Sequence, residues 1–169
     1  MTRRHATVGT DLGELTMVAD GTALVGVYFP HHWHLPPESY YGELVEEGDE
    51  VFAAAARQLD EYLAGRRRDF DVEVRTSGDD FSERVWALLT EIPYGTTTTY
   101  GALATRLGNP RLAQRVGQCV GRNPVSVIIP CHRVIGADGS LTGYAGGLDR
   151  KRRLLELEEP PEVSGARLF

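Results

Sequence analysis

Cysteine is scarce in this sequence: Cys119 and Cys131 are the only two. Two cysteines do not make a disulfide framework, and without a Cys-x-x-Cys pair a thiolate zinc site has no support. Free thiols in this number fit a reducing compartment, so a cytoplasmic protein is expected. Long apolar runs are missing as well. None approaches the ~20 residues that a helix needs to cross a bilayer, so no membrane association is expected. Met1-Thr2-Arg3-Arg4-His5 leads into alternation rather than an apolar stretch, and no secretory signal is read there. Acidic residues are absent from residues 101–135, whereas Arg106, Arg111, Arg115, Arg122 and Arg133 all fall inside.

What is present describes an ordinary globular protein. The chain has 169 residues, 41% hydrophobic and 25% charged, enough for one domain or two small ones with a real core. The net charge of −6 argues at first against nucleic acid. The local arginine-rich stretch argues the other way. Screening limits each charge to a reach of about 8–10 Å, so a basic face on an acidic protein still neutralises phosphates. A merely solvated arginine-rich surface is the alternative reading of the charge pattern.

The first half reads as a small α/β unit. Residues 13–18 and 23–29 are strand-like, with Asp20-Gly21 as a hairpin signal between them. Residues 30–48 form a loop rich in Pro, His, Gly and Tyr. Residues 49–64 predict a helix with Val51, Phe52, Ala55, Leu59, Tyr62 and Leu63 on its apolar side and Gly65 as its stop. Residues 69–74 alternate and predict another strand, and Thr76-Ser77-Gly78 reads as a linker. The second half is more helical. Asp79 or Asp80 caps a helix carrying Phe81, Val85, Trp86, Leu88 and Leu89. Residues 99–107 predict a short helix, Gly108-Asn109-Pro110 a turn, and residues 111–122 a second helix. Asn123-Pro124 stops it. Asp138-Gly139 is another hairpin signal, residues 148–158 a last helix, and the tail from Pro160 is irregular.

Pro130-Cys131-His132-Arg133 directly follows the apolar run Val125-Ser126-Val127-Ile128-Ile129, which predicts a buried strand. A thiol beside an imidazole at that point has the pattern of a placed nucleophile. The thiolate is the reactive form, and a neighbouring base or positive charge raises its fraction. The residues alone leave a second reading open, with Cys131 a small buried hydrophobe. Two short helices around a Gly-Asn-Pro turn, with arginines on the second, predict a helix-turn-helix. A DNA-reading element a few residues from a candidate nucleophile points to chemistry on DNA.

At this point the sequence resembles the O6-alkylguanine-DNA alkyltransferases, also called methylated-DNA–protein-cysteine methyltransferases. The matching stretches are Phe81-Ser82-Glu83-Arg84-Val85-Trp86, Ile92-Pro93-Tyr94-Gly95-Thr96-Thr97-Thr98-Thr99-Tyr100-Gly101, Asn123-Pro124, Pro130-Cys131-His132-Arg133-Val134-Ile135-Gly136, Thr142-Gly143-Tyr144-Ala145-Gly146-Gly147 and Leu154-Leu155-Glu156-Leu157-Glu158. They cover most of residues 79–158 in the family's order and spacing. The resemblance implies an α/β fold: an N-terminal ribonuclease H-like α/β domain over residues 1–76, then a mostly helical, DNA-binding alkyltransferase domain with a helix-turn-helix over residues 79–169. It implies direct, single-turnover repair without a cofactor. The alkyl group of O6-alkylguanine, and of O4-alkylthymine, would pass to Cys131 after minor-groove binding and nucleotide flipping. The partner would be double-stranded DNA, and the protein would work as a monomer with no obligate protein partner.

The resemblance also implies roles. Cys131 would accept the alkyl group, His132 would act as base through a water, and Glu158 would hold the imidazole. Tyr100 would help rotate the nucleotide and give a phenol proton toward the guanine. Asn123 would tie the recognition helix to the backbone of the site. Tyr144 would wall the pocket, the Ala145 N–H would face O6, and Gly146 and Gly147 would permit close backbone approach. Carbonyls of Cys131 and Val134 would accept from the exocyclic amine. Arg122 would contact DNA, and Lys151 matches a lysine at the start of the last helix. The sequence departs from the family at the residue that fills the gap left by the flipped base. The family places an arginine there; here the position holds Gln114, with Arg115 next. His31, His32 and His34 suggest a metal by spacing alone, but no cysteine stands near them and none is expected. Cys119 reads as a core residue. The competing reading is a helix-turn-helix that binds alkylated DNA without transferring anything; relatives of that kind lack the cysteine.

Overall fold

The computed structural model describes residues 3–30, 35–45, 48–141, 144 and 146–159. The chain opens with three strands, β1 (Arg3–Thr10), β2 (Gly13–Asp20) and β3 (Ala23–Tyr28). A one-turn helix α1 (Glu38–Tyr41) and a short strand β4 (Glu43–Leu44) follow, and then α2 (Glu50–Leu63). The sheet order is β3-β2-β1-β4, with β4 alone parallel to its neighbour. β1 lies in the stretch where the sequence showed only alternation. The second hairpin closes one residue later than Asp20-Gly21 suggests. Asp20 pairs with Ala23, so the loop is Gly21-Thr22, with Gly21 at φ 63 in the first loop position, where a type II′ turn requires positive φ.

Asp49 caps α2, its carboxylate accepting from the N–H groups of Val51 and Phe52, and Arg4 of β1 donates to the same carboxylate at 2.5 Å. The helix lays Phe52, Ala55, Leu59 and Tyr62 into the core, the spacing its apolar residues predict. In the second half, Asp79 rather than Asp80 caps α3 (Asp80–Thr90), accepting from Ser82 N–H at 2.7 Å. Strand β5 (Thr98–Thr99) leads into α4 (Tyr100–Arg106). The second helix of the pair begins as a 3-10 turn (Pro110–Leu112), capped by the Asn109 side chain, and continues as α5 (Ala113–Gly121). Trp86 of α3 donates its indole N–H to the Cys119 carbonyl at 2.8 Å, fastening α3 under α5. A 3-10 turn (Cys131–Arg133), strand β6 (Val134–Ile135) parallel to β5, and α6 (Leu148–Glu158) complete the described elements.

One hydrophobic cluster runs through both halves, from Leu15 and Val27 through Leu59 and Val85 to Val120 and Leu154. The free edge of β3 joins them. The Leu24 N–H donates to Glu73, and the Val27 N–H donates to Pro124 at 2.8 Å. This sharing explains one departure from sequence. Residues 69–74 form no strand; only Val74 bridges Leu24, because the next stretch of the β3 edge is taken by Val125. Residues 125–129 depart too. They form a tight turn, with Val127 at φ 72 and the Ile128 N–H donating to Ser126 O. The run is buried, as its apolar character implies, but it is folded back rather than extended. The Asp138-Gly139 signal is a turn, with the Gly139 N–H donating to Gly136 O and, among the described residues, no strand ladder following it.

Candidate active site

Asn123 sets the local geometry. Its side-chain amide donates to the Ile129 carbonyl at 2.8 Å and its oxygen accepts from the Val125 N–H at 3.0 Å. These two bonds pin both ends of the 125–129 turn to the end of α5. Pro130 (φ −81, ψ 65) then turns the chain so that the Cys131 N–H donates to Ile129 O at 2.8 Å. Cys131 is thereby delivered at the first position of a 3-10 turn, buried, with His132 and Arg133 behind it.

His132 is fully buried, and its Nε2 lies 2.8 Å from Glu158 Oε2 on α6. Burial alone would raise the Glu158 carboxyl, but hydrogen bonds from His132 and Arg133 hold it at about 2. An ionised carboxylate only accepts, so Nε2 carries the proton. Burial also lowers the His132 pKa, against the pull of Glu158, so the ring is neutral and Nδ1 bears the lone pair. Nδ1 has no hydrogen-bond partner among the described residues. Arg133 completes the clamp, donating Nε and Nη2 to the two Glu158 oxygens at 2.8 and 2.9 Å and Nη1 to the Ile92 carbonyl at 2.6 Å. Counted from sequence among the basic-face arginines, Arg133 in fact points inward. Arg106, Arg111, Arg115 and Arg122 remain exposed.

The Cys131 thiol is not ionised at rest. Burial pushes its pKa up, and Asn123, Lys151 and Tyr144 pull it only part of the way back. Reactivity here therefore needs a base rather than a pre-formed thiolate. Lys151 lies buried at the start of α6, its Nζ donating to the Val134 carbonyl at 2.6 Å. That carbonyl and the Cys131 carbonyl, which accepts from the Val134 N–H, each keep a second lone pair. Tyr144 is buried edge-on against Phe29, with its phenol toward the Cys131 sulfur. A Cβ on Gly146 would overlap the rings of Phe29 and Tyr144, so the loop approaches β3 by backbone alone. Ala145, like His31, His32 and His34, lies outside the described residues. Among those described, no group of three metal-ligating side chains occurs.

Tyr100 opens α4 directly after the β5–β6 pair, half-buried, its ring against Gly117 of α5. Gln114 and Arg115 are both exposed on α5, and Arg122 caps its end. They differ in what they touch: the Arg115 guanidinium stacks on Phe81 of α3, 3.9 Å from the ring centroid. One residue of the site was not legible as such. Tyr62, read from sequence as part of the apolar side of α2, donates its phenol to Glu158 Oε2. Its helical spacing marks it only as core, and nothing local signals the bond.

Fold and site together define a class: a protein with a buried Cys-His pair and an exposed, arginine-bearing helix pair in the same half. Comparison with known proteins narrows that class. Residues 80–160 match the family model for the 6-O-methylguanine DNA methyltransferase DNA-binding domain, and residues 4–76 match the model for its ribonuclease-like domain. The chain belongs to the 6-O-methylguanine DNA methyltransferase family, the DNA-repair alkyltransferases. It is 41% identical over 165 residues to a methylated-DNA–protein-cysteine methyltransferase of Mycobacterium tuberculosis, covering 98% of each chain. A protein of the same name from Methanosarcina acetivorans is 53% identical over 112 residues, 66% of this chain and 72% of the relative. Among solved structures, M. tuberculosis OGT in complex with DNA superposes with a TM-score of 0.84 at 40% identity, over 95% of this chain and 98% of that one. An O6-methylguanine DNA methyltransferase from Methanococcus jannaschii gives 0.65 at 30% identity, over 96% and 95%.

Proposed function

We propose that this protein repairs alkylated DNA by moving the alkyl group of O6-alkylguanine irreversibly to Cys131, once per molecule. The His132–Glu158 pair carries the reading. A carboxylate fixes Nε2 as the protonated ring atom, which leaves Nδ1 as the base, one residue from the thiol. Residues 79–169 bind the duplex and do the chemistry, and residues 1–76 form the supporting domain, acting in the cytoplasm.

The α4–α5 pair enters the minor groove, with Arg106, Arg111 and Arg122 neutralising phosphates. The O6 substituent is enclosed in the duplex, so the nucleotide must be turned out to reach a buried sulfur. Gln114 fills the gap. Arg115, committed to Phe81, serves as a charged brace between α3 and α5. His132 takes the thiol proton through a bridging water. The thiolate attacks the alkyl carbon, the S–C bond forms and the C–O6 bond breaks. The electron pair goes to the guanine, where a proton from the Tyr100 phenol neutralises it. Tyr144 and Gly146 wall the pocket, the family resemblance gives the Ala145 N–H to O6, and the Val134 carbonyl keeps a lone pair for the exocyclic amine. O4-alkylthymine presents the same alkyl ether and is taken as a second substrate. A thioether has no easy route to hydrolysis, so the protein does not turn over.

Intact-mass spectrometry tests this after incubation with an O6-methylguanine duplex under reducing conditions. One methyl on Cys131, and none on Cys131→Ser, is expected. An unmodified Cys131 with lesion-specific binding would instead establish the non-catalytic binder.

A further inference from the structure

The Glu158 carboxylate receives a donor from outside the alkyltransferase half. Tyr62, on α2, is completely buried and points its hydroxyl at Oε2, the oxygen that also accepts from His132 and from Arg133 Nη2. Three donors therefore meet on one oxygen. Tyr62 is wedged between Phe70, 5.3 Å away by ring centroids, and Tyr94, edge-on at 6.2 Å, so the hydroxyl has little freedom to point elsewhere. The charged and titratable groups around this point are His132 and Arg133 from the 3-10 turn, Lys151 from α6, Tyr144 from the loop before α6, and Tyr94, itself faced by Arg68 and Arg133.

A buried tyrosine needs a partner for its hydroxyl, and many residues would serve as one. Here the partner is the carboxylate that fixes the histidine. Donation from a phenol spreads the negative charge of Oε2 and weakens its hold on the imidazole proton. The imidazole then stays neutral, and so basic at Nδ1, to lower pH than it would beside an unshared carboxylate. We infer that Tyr62 is a positioning residue for the transfer reaction: it sets how strongly Glu158 holds His132, and so makes the amino-terminal half part of the catalytic relay. This rests on the reading of Cys131 and His132 given above.

Tyr62→Phe keeps the ring and removes the donor. Three quantities are followed against pH in the full-length protein: single-turnover transfer at saturating O6-methylguanine duplex, affinity for that duplex, and the titration of His132 by nitrogen-15 NMR of the imidazole. Affinity should stay at the parent value. At a fixed pH on its acid limb the saturating rate should fall about tenfold, the size of a one-unit rise in the His132 titration. The acid limb of the rate and the His132 titration should both move to higher pH. Tyr62→3-fluorotyrosine preserves the fold, makes the phenol a stronger donor, and should move both to lower pH. Unmoved titrations in both variants overturn the inference, even if Tyr62→Phe melts earlier, because lost packing does not shift an imidazole. A loss confined to DNA affinity overturns it as well. If the parent protein transfers nothing, the proposed function fails instead, while the His132 titration still reports on Tyr62.

Discussion

Lys151 donates its ammonium to the carbonyl of Val134 at 2.6 Å, inside the protein and three residues along the chain from Cys131 at the acceptor end. Burial lowers its pKa to about 8, while the neighbouring Cys131 sulfur pulls the other way. Lys151 is therefore still mostly charged at neutral pH, and it is one of the groups that draw the Cys131 thiol back from the high pKa imposed by burial. A buried cation is costly to keep unless its charge is used. Under the proposed function its use is to stabilise the thiolate once His132 has taken the proton.

Lys151→Met tests this. The methionine fills most of the space and removes the charge. Alkylation of Cys131 by iodoacetamide at neutral pH should slow about tenfold, as expected when one nearby opposite charge is lost. The midpoint of its pH dependence should move up. Affinity for undamaged duplex should not change, since Lys151 is buried. An unmoved midpoint would show that the ammonium does not act on the Cys131 thiol.

The acid limb of stability follows from Glu158 and His132. In the fold Glu158 stays ionised down to about 2, whereas the unfolded carboxyl takes its proton near 4.5. Between those values the unfolded chain binds more protons, so the contribution is complete above pH 4.5 and drains away as pH falls toward 2. It is on the order of 3 kcal/mol. His132, lowered by burial, works in the same direction: below the ordinary histidine value of 6.5 the unfolded chain gains a proton that the folded ring resists. Calorimetric Tm measured from pH 7 to pH 3 should therefore fall gently at first and steeply below 4.5. Glu158→Gln should start lower, since Arg133 loses its carboxylate, and should lack the steep part. Parallel curves for the two proteins would refute the assignment.

The helix pair was legible because its signals are local. Thr99 and Asn109 cap their helices with their own side chains, and the Gly-Asn-Pro turn separates them as the sequence reads. The Cys131–His132–Glu158 line rests on motif resemblance, and the structure brings His132 Nε2 within 2.8 Å of Glu158 Oε2. What escaped is non-local. The run before Cys131 has the composition of a strand, but the two hydrogen bonds of Asn123 draw its ends together, and no periodicity encodes that. Residues 69–74 lose their ladder to Val125 in a competition for the β3 edge. Arg133 looked like a surface charge, and Tyr62 like plain core. Their roles depend on a carboxylate brought in by the last helix, from 25 and 96 residues away.

Gln114 and Arg115 are neighbours on α5, about 100° apart around the helix, so they cannot do the same work. The stacking of Arg115 on Phe81 turns its guanidinium toward α3, and the proposed function therefore gives the emptied base position to Gln114. The two variants should therefore fail differently. Arg115→Ala removes a charge and a cation–π contact. It should weaken binding to damaged and undamaged duplex alike, reduce the salt dependence of binding by about one counterion, and cost about 0.5–1 kcal/mol of stability. Gln114→Ala should barely change affinity for undamaged DNA but slow transfer at saturating lesion duplex, because the turned-out state loses its support. Gln114→Arg should strengthen lesion binding by adding charge at the same place. Anisotropy titrations at several salt concentrations, paired with single-turnover transfer, separate these effects. If Arg115→Ala slows saturated transfer while Gln114→Ala does not, the arginine leaves Phe81 on binding DNA and is itself the inserted side chain.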